Sequence, residues 1–198
     1  MRPPLTGLRV LDLSWVMVGP VSGRYLADLG AEVIKVESSR RVDPLRTLGP
    51  YRNGQPHLEQ SLSYQNINAG KRSLTLDLNA PAGRDIVRTL VRNVDVVIES
   101  FTAGTLERMG LGWAQLSAEN PRLVMASSCL FGQTGPERAA SGVGTLGAAY
   151  SGASMLVGWP DRAPTGPFGP WTDAVTPRFI VACILAALRR RDAEGRGC

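Results

Sequence analysis

The chain of 198 residues is short of the groups that most often carry chemistry. Its one histidine, His57, lies in a polar stretch, so a triad built on imidazole has no material to work with. The three cysteines, Cys129, Cys183 and Cys198, form an odd set without CxxC spacing, and neither a disulfide framework nor a metal site follows from them. Cys183, inside the apolar run from Phe179 to Leu188, reads as plain core. Lys35 and Lys71 are the only lysines, so the formal charge of +5 rests on arginine. Those arginines are scattered and the aromatic residues do not interleave with them, which argues against a nucleic-acid partner. A solvated basic surface accounts for the charge; a phosphate-bearing ligand, gripped bidentately by guanidinium, is the functional alternative. No segment offers the ~20 apolar residues that span a bilayer, and Asp12 interrupts the run after Leu8 that a signal peptide would need. A reducing cytoplasm, with no membrane partner, is the expected setting.

What is present is an alternation of two-residue and helical periodicities, the pattern of an α/β sheet with crossover helices. Leu8–Leu13, Glu32–Val36, Leu74–Leu78, Asp95–Ile98 and Arg122–Ala126 read as strands. Helices are expected from Pro20 to Leu29, after an Asn79 cap with Pro81 in the first turn, at Ala103–Met109, near Ala148, and from Pro177 to Arg191. From Ser38 to Gly70 the chain is polar and aperiodic. A stretch of that length inside a compact domain is more often a ligand-facing loop than a spacer.

Candidate chemistry narrows quickly. Gly142–Gly147 matches GxGxxG, but it lies well past the nearest strand, and a dinucleotide fingerprint needs an immediate strand-to-helix turn. Ser151 and Ser154 lack both a histidine and a GxSxG frame. Carboxylates remain. Asp77, Asp85 and Asp95 sit where carboxylates cap, pair or solvate. Asp173 follows the constrained turn Gly169–Thr172 and precedes Thr176-Pro177, a cap and first-turn pair, so it is expected just ahead of a helix N-terminus. There it would stay ionised as a nucleophile or as a simple cap.

Several segments, taken in order, are similar to those of one family. They are Thr6–Leu13 (TGLRVLDL) with Val18–Pro20, Leu29–Glu37 (LGAEVIKVE), Asn68 and Lys71–Ser73, Leu76-Asp77, Asp95–Glu99 (DVVIE), Leu106–Gly110 (LERMG), Phe131–Pro136 (FGQTGP), Thr172-Asp173 and Gly195–Gly197. Together they resemble the family III CoA-transferases, the group of formyl-CoA and carnitine CoA-transferases and 2-methylacyl-CoA racemases. The resemblance implies a mainly parallel, Rossmann-like sheet flanked by helices, as an incomplete large domain: residues 1–198 would be the N-terminal part of a CoA-binding domain, lacking a small second domain and a C-terminal return segment. It implies CoA transfer between an acyl-CoA and a small carboxylic acid, with Asp173 as the covalent nucleophile and no permanently bound cofactor or metal. Val16, Met17, Arg40, Leu76, Ser100, Phe101, Arg108 and Met109 match the family's CoA contacts, Arg40 standing in for a basic residue replaced by Ser38. Val16, Leu76 and Met109 are equally readable as core. The resemblance also implies a homodimer, interlocked in full-length relatives, or a partner chain supplying the missing half. A non-catalytic CoA-binding remnant and a racemase are the alternative readings. The racemase pattern needs a histidine and an aspartate where this chain has Val143 and Gly144.

Overall fold

The computed structural model describes residues 2–198. Five short strands form one sheet: β1 (Arg9–Asp12), β2 (Glu32–Glu37), β3 (Arg72–Thr75), β4 (Val96–Glu99) and β5 (Val124–Ser127). All four pairings are parallel and the order is β3-β2-β1-β4-β5. That order reverses direction between β1 and β4, which is the doubly wound arrangement.

Parallel strands need crossovers, and the crossovers cover both faces of the sheet. On one face α1 (Val18–Asp28) and the long α8 (Trp171–Glu194) pack over Val10, Val33, Val96, Ile98 and Val124. On the other, α3 (Pro81–Val91), α4 (Thr105–Arg108) and α5 (Trp113–Glu119) cover Leu11, Leu13, Val36 and Val97. Adjacent residues such as Val10 and Leu11 feed opposite cores, as the period of two requires. A short α2 (Leu62–Ile67) and, late in the chain, α6 (Gly144–Tyr150) and α7 (Ala153–Leu156) complete the set.

Several expectations shift. The third strand begins at Arg72, two residues earlier than its alternation suggests. Asn79 does not cap α3: its N–H is taken by Asp77 Oδ1 at 3.0 Å, and Ala80 becomes the cap residue. The polar stretch after β2 contains a 3-10 turn at Pro44–Thr47 as well as α2, anchored by buried Asp43, Leu45 and Ser61. Those anchors are isolated in sequence, so no periodicity announces them.

The largest correction concerns α8. It begins at Trp171, not Pro177, and Pro177 lies inside it. Proline removes one N–H, which frees the carbonyl of Asp173 four residues earlier, yet the surrounding turn holds. By length and composition α8 is also apolar enough to cross a membrane, against the expectation that no segment would be. Here it buries one face, Val181, Ile184 and Leu188, against the sheet. Buried Arg191 donates to Asp95 Oδ1 at 2.8 Å and pins its C-terminal half. Cys183 faces the other way and is exposed.

Candidate active site

Open α/β sheets bind ligands outside the carboxyl ends of their strands, at the point where strand order reverses. In this chain that point lies between β1 and β4, and a cleft of about 520 Å³ opens there. One wall is the segment after β1, Trp15–Gly19. The floor is Ser100–Thr102, after β4. The other wall is Ser128–Leu130, after β5, with Ala140–Gly144. Thr172, Asp173 and Thr176 close the cleft from the first turns of α8.

Asp173 is therefore the third residue of a helix and not a residue ahead of one. A carboxylate in a first turn suits the helix dipole. Its side chain rests against Gly144, where an added Cβ would come within 2.5 Å of Asp173 Oδ1. Burial pushes the Asp173 carboxyl above its ordinary value, and a hydrogen bond from the Gly144 backbone pulls it partly back. Thr172 Oγ1 donates to the Gly144 carbonyl at 2.8 Å and locks α8 to the start of α6. The result is a half-buried carboxylate facing open space, less well solvated than a surface one.

The opposite wall is fixed by charge. Asp12 and Lys71 form a fully buried pair at 2.7 Å. Burial alone would raise the Asp12 carboxyl, but the ammoniums of Lys71 and Lys35 and hydrogen bonds from Lys71 and Ser14 outweigh it and hold it low. Asp12 Oδ1 accepts the Ser14 N–H at 3.0 Å, Lys71 Nζ also donates to the Pro20 carbonyl at 2.7 Å, and Lys35 Nζ donates to the Ser14 carbonyl. At the floor, Trp15 N–H donates to Ser100 Oγ at 2.8 Å, and the Trp15 ring lies 6.3 Å from that of Phe101. Beneath it, buried Glu99 accepts the Phe101 N–H at 2.8 Å and Gln133 Nε2 at 3.2 Å, with burial pushing its carboxyl up.

Of the residues singled out by sequence, Val16, Met17, Ser100, Phe101 and Asp173 are brought together in this one cleft. Arg108 lines an adjoining cavity of about 920 Å³, with Arg138, Arg190 and Arg196, on the far side of the Phe101–Gly104 loop. Leu76 and Met109 pack against the core on the α3 face. Arg40 is exposed, 3.8 Å from Asp77, whereas Arg41 lines the cleft with its guanidinium 5.1 Å from the Trp15 ring centre. Sequence reasoning missed Arg41, Trp15, Thr172 and Cys129 as cleft residues. Arg41 and Thr172 had signals in their neighbours Arg40 and Asp173; Trp15 and Cys129 had none of their own.

Residues 5–198 match the sequence profile of CoA-transferase family III. The chain belongs to this family. It is 42% identical over 198 residues to the succinyl-CoA–D-citramalate CoA-transferase of Chloroflexus aurantiacus, covering 99% of this chain and 48% of that enzyme. With the succinate–glutarate CoA-transferase of Agrobacterium fabrum it shares 39% identity, covering 99% of this chain and 50% of the relative. The crystal structure of a CAIB/BAIF family protein from Brucella suis superposes with a TM-score of 0.92 at 38% identity, over 100% of this chain and 52% of that one. The chain thus spans about half the length of the relatives it matches.

Proposed function

We propose that this chain carries the nucleophile and part of the CoA cleft of an enzyme that moves CoA between an acyl-CoA and a carboxylic acid. The observation that carries the reading is the half-buried carboxylate of Asp173 at the mouth of the switch-point cleft, within a chain whose family relatives are named CoA-transferases.

The chemistry balances with one carboxylate. An Asp173 oxygen attacks the thioester carbonyl, the C–S bond breaks, and a mixed anhydride forms as CoA leaves as thiolate. The thiolate then attacks the aspartyl carbonyl of the anhydride, releasing the first acid and leaving an aspartyl-CoA thioester. The incoming carboxylate attacks that thioester in turn, and the thiolate returns to the new acyl group to regenerate free Asp173. Dividing the exchange into covalent steps lowers each barrier. Partial burial favours this role, because a poorly solvated carboxylate surrenders less hydration on attack. The positive end of α8 steadies charge near the reacting centre. Arg108 and its neighbours in the second cavity suit the CoA phosphates, and Phe101, in the cleft, offers a face for stacking.

A racemase reading fares worse. Moving a proton at Cα needs acid–base groups on both sides, and the positions beside Asp173 where the racemase pattern needs a histidine and an aspartate hold Val143 and Gly144, neither of which titrates. The acyl-CoA and acid partners, a pairing with a second copy or a complementary chain, and a cytoplasmic setting belong to the same proposal.

Incubation with an acyl-CoA followed by hydroxylamine converts an activated aspartate to a hydroxamate, which mass spectrometry locates. The adduct is expected at Asp173 and absent from Asp173→Asn, with CoA affinity held within about threefold, a change of ~0.65 kcal/mol. An adduct that persists in that variant, or that sits on another residue, overturns the assignment.

A further inference from the structure

Val16 is the only residue other than glycine with positive φ among the described residues, at 66°. A β-branched side chain occupies that left-handed region only where its surroundings over-determine it, and such residues cluster at functional sites. The surroundings here converge on one carboxylate. Val16 N–H points at both oxygens of Asp43, 3.4 and 3.2 Å away. Asp43 is wholly buried. Its own N–H donates to Glu37 Oε2 at 3.0 Å, its Oδ1 accepts the Leu45 N–H at 3.0 Å, and Lys35 Nζ lies 3.5 Å from Oδ2. With backbone and carboxylate both fixed by the fold, Asp43 is a rigid acceptor, and the Val16 peptide has turned toward it.

We infer that Asp43 is a positioning residue of the cleft, whose buried carboxylate holds Val16 in its left-handed conformation and so sets the wall that faces Asp173. This rests on the function proposed above. Val16 and Met17 line the cleft with Asp173, as do Arg41 and Pro44, the residues two before and one after Asp43. Released from Asp43, Val16 returns to negative φ and rotates the peptides that carry Trp15 and Met17. A displacement of the order of 1 Å in a positioning wall costs up to about 10²-fold in rate.

Four proteins test this: the native chain, Asp43→Asn, Val16→Gly and the double variant, each titrated with CoA by calorimetry. Glycine takes positive φ without an anchor. Asp43→Asn is therefore expected to weaken CoA binding about tenfold beside Val16 and less than about twofold beside Gly at that position. A merely structural Asp43 gives the same penalty in both backgrounds, and equal penalties overturn the inference. Should Asp43→Asn fail to fold, amide hydrogen exchange on the native protein decides: the Val16 N–H exchanges at least about tenfold more slowly than a free loop amide if Asp43 holds it, and exchange at the free rate refutes the hold. The exchange arm needs no CoA, so a native chain that binds none defeats the proposed function while leaving Asp43 to be judged separately. A native chain that forms the Asp173 adduct but shows a flat cycle defeats Asp43 alone.

Discussion

The two walls of the cleft are built by different physics. The wall after β1 stands on buried charge: Asp12 with Lys71, Lys35 with the Ser14 carbonyl, and Asp43 with Val16, next to a loop where the Trp15 and Phe101 rings meet at a tilt. The wall from Leu130 to Gly144 is glycine-rich and fastened by Thr172 to Gly144, and the segment that runs on from it to α8 exposes Tyr150, Met155, Leu156, Trp159 and Phe168. An ionised group inside a protein is strongly destabilising unless paired, so the first wall has few alternative arrangements. The second is held by hydrogen bonds of Thr172 and Asp173 to the Gly144 backbone and of Gln133 to Glu99, and by close approach of backbone to side chain. The proposed exchange of acyl groups would be well served by one fixed wall and one that can adjust.

The sharpest way to break that comparison is to strike each wall at one side chain. Lys71→Met leaves Asp12 buried without its nearest cation and is expected to cost about 3–5 kcal/mol. For a chain of this size that lowers Tm by ~10 °C. Phe168→Ser, in the exposed segment that continues the second wall, is expected to change stability by less than about 0.5 kcal/mol. Denaturant unfolding of both variants checks the pair. Similar losses would mean that the walls do not differ. The acid limb gives a second reading: the Asp12 carboxyl is held below its ordinary value of 3.8, so the pair's contribution is complete above that pH and drains away as pH falls through the folded-state value. Lys71→Met should flatten that limb.

Gly144→Ala probes the weaker wall where it touches Asp173, the proposed nucleophile. The new methyl would fall 2.5 Å from Asp173 Oδ1 and 2.6 Å from Thr172 Oγ1, so the carboxylate must move. Adduct formation at Asp173 is expected to slow about 10²-fold, because misplacement of a reacting group by ~1 Å costs that much. CoA affinity should change little, since the contacts proposed for the phosphates lie on the other side of the Phe101 loop. A rate within about twofold of the native protein's would show that the wall yields freely and that Gly144 does not set the position of Asp173.

The fold was legible where pattern and physics coincide. Val10, Leu11, Val33, Val36, Val96 and Val97 alternate between the two cores, and the parallel sheet follows from them. Boundaries were less legible. Proline usually opens a helix, yet Pro177 sits inside α8, whose first turn is held instead by Thr172 on the Gly144 carbonyl. That contact spans 28 residues and leaves no local trace. The site was half legible: ordered motifs singled out five residues that do share the cleft, but could not separate Arg40, exposed beside Asp77, from Arg41, over Trp15. The choice between adjacent arginines depends on the buried 3-10 turn that follows them. Asp43 was invisible for the same reason, since its importance lies in Val16, 27 residues away.

Asp173 lies between the walls, and its own stability effect is the smallest expected and the most telling about which wall bears it. Burial raises its carboxyl above 3.8 in the fold, so the folded chain binds that proton more tightly than the unfolded one. The associated stabilisation is present below the ordinary value and is lost as pH rises through the folded-state value. At neutral pH the ionised carboxylate is thus a mild burden, and Asp173→Asn removes it. Because the group is only half-buried, solvent screening reduces the gain to a fraction of a kcal/mol, about 1 °C in Tm. The gain should vanish near pH 3, where the native carboxyl is protonated in both states. A variant that is less stable than the native chain at neutral pH would show the opposite: that the carboxylate serves the start of α8 as a structural anchor, its hydrogen bond from Gly144 outweighing its burial, and that the glycine-rich wall is held together by the group assigned to the chemistry.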